Sequence, residues 1–223
     1  MDCSEQVFRH LGGIGMTETP RSIAIGWDDR LRVDVVGRSE SVRCLVKNNA
    51  STSDVPLTMG CEMKAGITFR PSCDEDEEFL RRVYASTRQE ELAAVPWSDA
   101  DKDAFLRMQF NAQHKYYHEV FTEAEYLVIL QEGQPVGRLY LDRREEAFAI
   151  IDIALLPEHR RGGIGSSILQ NILDEAASVG KPVQIHVERF NPALHLYERL
   201  GFVRTGDTGV YFLMEKPTPG SPA

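Results

Sequence analysis

The stretch Arg160-Arg161-Gly162-Gly163-Ile164-Gly165 decides the fold. It stands after an apolar run at 148–156 that ends at Pro157. It precedes a run in which Ile164, Ile168, Leu169, Ile172, Leu173 and Ala176 recur at helical spacing, stopped by Gly180. Strand, glycine loop and helix start therefore follow one another. The first turn of a helix carries backbone N–H groups that have no internal partner and bear partial positive charge. Glycines let main chain approach a bulky anion, because no Cβ intervenes. Two arginines add charge, so the stretch reads as a cradle for a pyrophosphate. Spacing alone fits a flexible turn with surface arginines equally well. Neither a Walker loop nor a dinucleotide-binding fingerprint is present.

Downstream, 183–187 reads as a strand. Asn191-Pro192 opens another helix that ends at Gly201, and 202–204 and 211–215 read as two closing strands. Upstream, three strand-like runs at 126–131, 135–142 and 148–156 are joined by short turns, which predicts an antiparallel meander. Ahead of them comes a short strand at 66–70 and a turn at Pro71-Ser72-Cys73-Asp74. A helix follows with the stripe Phe79, Leu80, Val83 and Tyr84. Pro96 interrupts the pattern. Ser98 or Asp99 caps a second helix bearing Phe105, Leu106, Met108 and Tyr116. The order of elements predicts an α/β (α+β) fold with a mixed, mostly antiparallel central sheet flanked by helices.

Composition bounds the function. The chain has 223 residues, 25 basic against 34 acidic, a formal charge of −9 and 42% apolar residues. That is enough for a real core. The acidic balance argues against a dedicated nucleic-acid binder, which would have to neutralise phosphates. No stretch approaches the roughly 20 apolar residues of a spanning helix, and the start MDCSEQVFRH lacks the order of a secretion signal. A cytoplasmic protein with no membrane or nucleic-acid partner is expected. The sequon Asn49-Ala50-Ser51 carries no weight without secretion. Cys3, Cys44, Cys61 and Cys73 form no Cys-x-x-Cys pair, so reduced thiols without metal are expected. Residues 1–65 read as an extension with a hairpin at 31–47 and a polar linker at 48–56. A folded domain is expected over 66–216, and the Pro/Gly/Ser-rich tail at 217–223 as disordered.

Arg160-x-x-Gly163-x-Gly165 after Ile153-Ala154-Leu155-Leu156-Pro157 resembles the signature of the GNAT family, the Gcn5-related N-acetyltransferases. The run Asn191-Pro192-Ala193-Leu194-His195-Leu196-Tyr197-Glu198-Arg199-Leu200-Gly201-Phe202 resembles the second half of that pattern. The resemblance spans about 66–216 and excludes 1–65. It implies two central strands that splay apart, with acetyl-CoA as co-substrate in the gap. The pantetheine arm would pair with the main chain at Ala154, Leu155 and Leu156. The pyrophosphate would lie on Arg160, Arg161, Gly162, Gly163, Ile164, Gly165 and Ser166, and Asn191 would also touch the pantetheine. A tyrosine at the place of Tyr197 often serves this family as general acid. The implied reaction is direct transfer of an acetyl group to an amine on a small molecule or peptide. The alternative is a silent acyl-CoA sensor on the same fold, and a longer acyl donor is a further rival. Many such enzymes pair up, so a homodimer is an open expectation.

Several side chains keep two readings. Asn191 also suits a plain N-cap before Pro192. Tyr197 with Leu194 and Leu200 also suits a core stripe. Asp152 interrupts the apolar run 150–156, so it is the candidate base for an acceptor amine; by strand alternation it equally suits a solvated face. His186 and Glu188 are reserves on the opposing strand. A backbone N–H near Leu155 is implied as donor to the thioester oxygen. His114 and His118 stand four apart without the zincin glutamate; Tyr116, Tyr117 and His118 read instead as a wall for substrate or as plain surface cover. The segment 89–113 is expected to govern acceptor choice.

Overall fold

The computed structural model describes residues 66–218. The hairpin and linker expected at 31–56, Cys3, Cys44, Cys61 and the tail beyond 218 lie outside the described residues.

Strand β1 (Ile67–Pro71) leads through a 3-10 turn (Asp74–Asp76) into helix α1 (Glu77–Ala93). Asp76 anchors this corner. Its two carboxylate oxygens each take a 2.6 Å bond from Arg70, which holds its pKa down at about 2. Helix α2 (Asp99–Val120) is capped by Ser98, whose side chain accepts from the Asp101 amide. Of the expected α2 stripe, Met108 proves exposed. The residue that α2 buries is Phe110, one turn after Leu106, set against Tyr84 with ring centroids 6.0 Å apart. The meander is as the turn signals predict: β2 (Glu125–Gln131), β3 (Gln134–Arg143) and β4 (Phe148–Leu155) pair antiparallel. Helix α3 (Ile164–Ser178), β5 (Val183–Glu188), α4 (Leu194–Arg199), β6 (Val203–Asp207) and β7 (Tyr211–Lys216) complete the order.

The seven strands lie in the order β1-β2-β3-β4-β5-β7-β6, and only β4 and β5 run parallel. One face of the sheet carries Leu139, Leu141, Phe148 and Ile150. These join Ile168, Leu169, Ile172 and Ala176 of α3 and Tyr197 and Phe202 around α4 in one core. All six apolar positions of α3 read from the sequence are buried there. On the other face Arg138 and Tyr140 meet α1 and α2, through the Tyr84 ring and Tyr117. Helices therefore cover both faces, and the sheet interior is removed from water on both sides.

Two irregularities shape the centre. Gly137 opposes Leu155, and a Cβ on it would lie 2.3 Å from the Ala154 carbonyl oxygen. Only glycine allows β3 to approach β4 so closely. In β4, Tyr140 opposes Asp152 but Leu141 opposes Ile150, so Ile151 is an extra residue, a β-bulge.

Gly137→Val should lower stability by about 2 kcal/mol or more through overpacking between the two strands, read as a lower urea midpoint. A pH effect is also expected. His114 and His118, with ring centroids 4.4 Å apart on α2, are both held below the ordinary histidine value, first by burial. The fold therefore favours their neutral forms, and the unfolded chain binds more protons. Stability should be full above about pH 6.5 and decline as pH falls below it. Replacing both histidines with glutamine should flatten that slope in urea unfolding across pH.

Candidate active site

The centre of the sheet opens into a gap. Strands β4 and β5 pair through Phe148, Ala149 and Ile150 against Val183, Gln184 and Ile185, and no further. Beyond that point β4 stays paired with β3, Asp152 to Tyr140 and Leu155 to Gly137. Strand β5 stays paired with β7, His186 to Leu213 and Glu188 to Tyr211. Each strand is held on its outer side, so the pair parts without losing its sheet. Among the described residues, the edge of β4 facing the gap, from Ile151 to Leu155, has no strand neighbour on that side. Unpaired strand edges are templates for an extended ligand.

The glycine loop closes one end of the gap. Arg161 and Gly163 both take positive φ, 60° and 84°, which turns the chain sharply into α3. Gly163 is the N-cap residue and supplies no capping side chain. The Ser167 amide donates to the Gly163 carbonyl at 3.0 Å and closes the first turn. The amides of Ile164, Gly165 and Ser166 are left as donors without intrahelical acceptors. A Cβ at Gly163 would meet no atom within 4 Å, and one at Gly165 only Leu155 Cδ1 at 3.9 Å. Among the described residues, side chains at these two positions would therefore have room.

Not every residue expected at the cradle presents itself to it. Arg160 turns inward: its Nε donates to the Leu155 carbonyl at 2.8 Å and its guanidinium to Ser86 Oγ on α1 at 2.8 Å. It ties the loop to the end of β4 and to α1. Leu156 is also engaged. Its amide donates to Val136 O and its carbonyl accepts from the His159 amide, so its main chain anchors the strand end. Arg161 and Gly162 are exposed at the loop crest, and Ala154 and Leu155 are half-buried along the gap. Asn191 does not cap α4 directly. The helix begins at Leu194 after Ala193, and Asn191 Oδ1 accepts the Ala193 amide at 2.8 Å in a turn ahead of it. Proline at 192 sits in that turn rather than in the first helical position.

Tyr197 and Asp152 meet from opposite faces of the sheet. Tyr197, 5% exposed, belongs to the α3/α4 core and lies edge-on to Phe202. Burial first, and the Asp152 charge second, push its phenol well above the usual tyrosine value. It is therefore a phenol, the state that can donate. Asp152 lies on the α1/α2 face opposite Tyr140, where Arg138 donates to its Oδ2 at 2.7 Å. His186 is exposed on β5. Glu188 accepts from Arg88 of α1 at 2.8 Å, which joins α1 to the free corner of β5. His114 stacks on Phe110, and His118 stacks on Tyr126 at 3.9 Å, so both belong to the aromatic layer between α2 and the sheet. Among the described residues no group of three or more His, Cys, Asp or Glu could hold a metal ion.

Sequence reading missed Arg138 and Arg88. Arg138 had a signal, since it interrupts the run Val136-Gly137-Arg138-Leu139-Tyr140-Leu141 just as Asp152 interrupts its own. Arg88 had none, because its partner Glu188 is 100 residues away.

Comparison with known proteins agrees with this geometry. A model of the acetyltransferase (GNAT) family matches residues 79–202. The L-amino acid N-acyltransferase MnaT of Escherichia coli strain K12 is 31% identical over 121 residues, which cover 50% of this chain and 66% of that protein, just under two thirds. Among solved structures, PaiA N-acetyltransferase of Thermoplasma acidophilum, determined in complex with coenzyme A, is similar with a TM-score of 0.53 and 20% identity. The match covers 68% of this chain and 98% of that one. An acetyltransferase of Corynebacterium glutamicum described as histone acetyltransferase HPA2 and related acetyltransferase gives 0.51 and 21%, over 71% and 99% of the two chains. These structures share the fold. With the family pattern matched over more than half its length, the chain belongs to the GNAT family of acetyltransferases.

Proposed function

We propose that the protein transfers an acetyl group from acetyl-CoA directly to a primary amine. One observation carries the reading: a helix start without a capping side chain adjoins a strand edge that has no strand partner among the described residues, and Tyr197 lies buried in the core that Ile164 of that helix shares. The amides of Ile164, Gly165 and Ser166, with Arg161 at the crest, suit the pyrophosphate of coenzyme A. The β4 edge through Ala154 and Leu155 suits the pantetheine arm as an added strand, and Asn191 borders its path. Arg160 and Leu156 hold the loop and strand end in place rather than touching the anion with free groups.

The acceptor nitrogen attacks the thioester carbonyl carbon, and its proton passes to Asp152 directly or through water. A backbone N–H at Leu155 steadies the developing oxyanion. As the carbon–sulfur bond breaks, the Tyr197 hydroxyl gives its proton to the departing sulfur, which leaves as coenzyme A thiol, and the proton taken up by Asp152 returns to the tyrosinate through water. An amide is formed and no enzyme-bound acyl group is needed. Cys73 is a poor candidate for one. It lies at the turn before α1, and a hydrogen bond to Glu75 raises its pKa and so keeps it a thiol. Free amino acids belong in the first panel of acceptors, because MnaT is named for them.

The reading is tested by calorimetry with coenzyme A and by thiol release from acetyl-CoA over amines, amino acids and peptides. Binding with turnover supports it. Binding without turnover on any acceptor makes the protein a sensor, and no binding removes the reading. Gly163→Glu should abolish coenzyme binding by placing a carboxylate before the amides. Its positive φ adds roughly 1–2 kcal/mol of strain. Gly163→Asn, which tolerates that φ and adds no charge, controls for the strain. Unchanged affinity in Gly163→Glu removes the cradle. Tyr197→Phe should slow turnover by about 100-fold with coenzyme affinity retained. Wild-type rates across pH would make Tyr197 a packing residue.

A further inference from the structure

Below the gap, on the α1/α2 face, a charged pair is buried where an apolar one would serve the fold. The Ile151 bulge creates the place for it. Strand alternation alone would put Asp152 on the face of Phe148 and Ile150, inside the core. With the extra residue, Ile153 and Leu155 take that face, and Asp152 and Ala154 turn to the other, opposite Tyr140 and Arg138. There the Arg138 side chain is 3% exposed and that of Asp152 is 15% exposed. The Arg138 guanidinium lies 5.8 Å from the Tyr84 ring centre and 5.3 Å from that of Tyr140. One terminal nitrogen donates to Asp152 Oδ2 at 2.7 Å and to Gln113 of α2 at 3.2 Å. Its Nε and the Tyr140 hydroxyl are buried without partners among the described residues. Asp152 Oδ1 makes no hydrogen bond to another described residue.

Burying an arginine costs several kcal/mol, and apolar residues of similar size often stabilise a fold as well or better. Stability is therefore a weak reason for this pair. We propose that Arg138 is a positioning residue for acyl transfer: it clamps Oδ2 of Asp152 and leaves Oδ1 for the acceptor amine. The proposal rests on the acetyltransfer reading. It gives the two faces different tasks, the acceptor nitrogen on the Asp152 side and the departing sulfur on the Tyr197 side. Gln113 extends the clamp to α2, so the segment that adjoins the acceptor route also sets the Arg138 rotamer.

The test uses the full chain in three forms: Arg138→Lys, Asp152→Asn and the double variant Arg138→Met with Asp152→Leu. Thermal melting, coenzyme A affinity, kcat, KM and the pH–rate profile are measured for each. The double variant should melt at or above the wild-type temperature and bind coenzyme A as wild type does. Its turnover should fall by at least about 100-fold. Arg138→Lys keeps the charge and loses the planar fork, so kcat should fall and the pH–rate profile should move while coenzyme affinity holds. A stable double variant with wild-type turnover overturns the proposal and leaves the acetyltransfer reading intact. So does an Arg138→Lys enzyme with an unchanged kcat and pH profile. Should Arg138→Lys fail to fold, Arg138→Gln, which keeps Asp152, decides by the same readouts: an unchanged kcat and pH profile overturns the proposal. A wild-type protein that binds coenzyme A but releases no thiol with any amine overturns both readings together.

Discussion

The parting of β4 from β5 is the constraint on which the rest depends. A buried strand edge without hydrogen-bond partners is costly, so an open gap at the centre of a sheet needs an explanation in the strands themselves. Here each strand is fully held on its far side, β4 by β3 and β5 by β7, while three residue pairs keep the two in register at one end. The gap is a property of rigid neighbours. An extended ligand that supplies main-chain-like donors and acceptors completes the sheet, which is why the same opening can serve as a binding groove without a moving part.

Charges are arranged around that opening as struts. Arg160 ties the glycine loop to β4 and α1, Arg88 ties α1 to the corner of β5, and Arg138 ties Asp152 to α2. Arg138 is buried and Arg88 largely so, which sets their ion pairs apart from surface salt bridges, where pairs contribute little; Arg160 is exposed and acts through hydrogen bonds. Guanidinium groups suit the task because one planar head can bond in two directions at once. The start of α3 carries its partial positive charge in backbone form, and Arg161 is exposed at the loop crest.

Much of this was legible in the residues. Period-two runs and turn signals located the meander, and the α3 stripe was correct at every position, because amphipathic helices and half-buried strands write their burial into local spacing. The glycine loop between strand and helix was legible because helix starts and glycines act through local main-chain chemistry. The failures were non-local. Met108 and Phe110 are both apolar, and only the crossing of α1 over α2 decides which is covered. The bond from Arg160 to Ser86, 74 residues away, had no local signal. Asn191 and Pro192 satisfied every local rule for a helix start, yet the chain uses them for the turn before it.

By itself the sequence determined the order of strands and helices, the glycine loop that enters α3 and the family pattern, since each is set by neighbours within a few residues. The side of the sheet on which Asp152 lies was decided only by tertiary structure. One extra residue at Ile151 reverses the alternation, and a bulge is visible only against the partner strand that it slips past. That single reversal takes the carboxylate out of the core, gives it Arg138, and sets it across the parted strands from Tyr197.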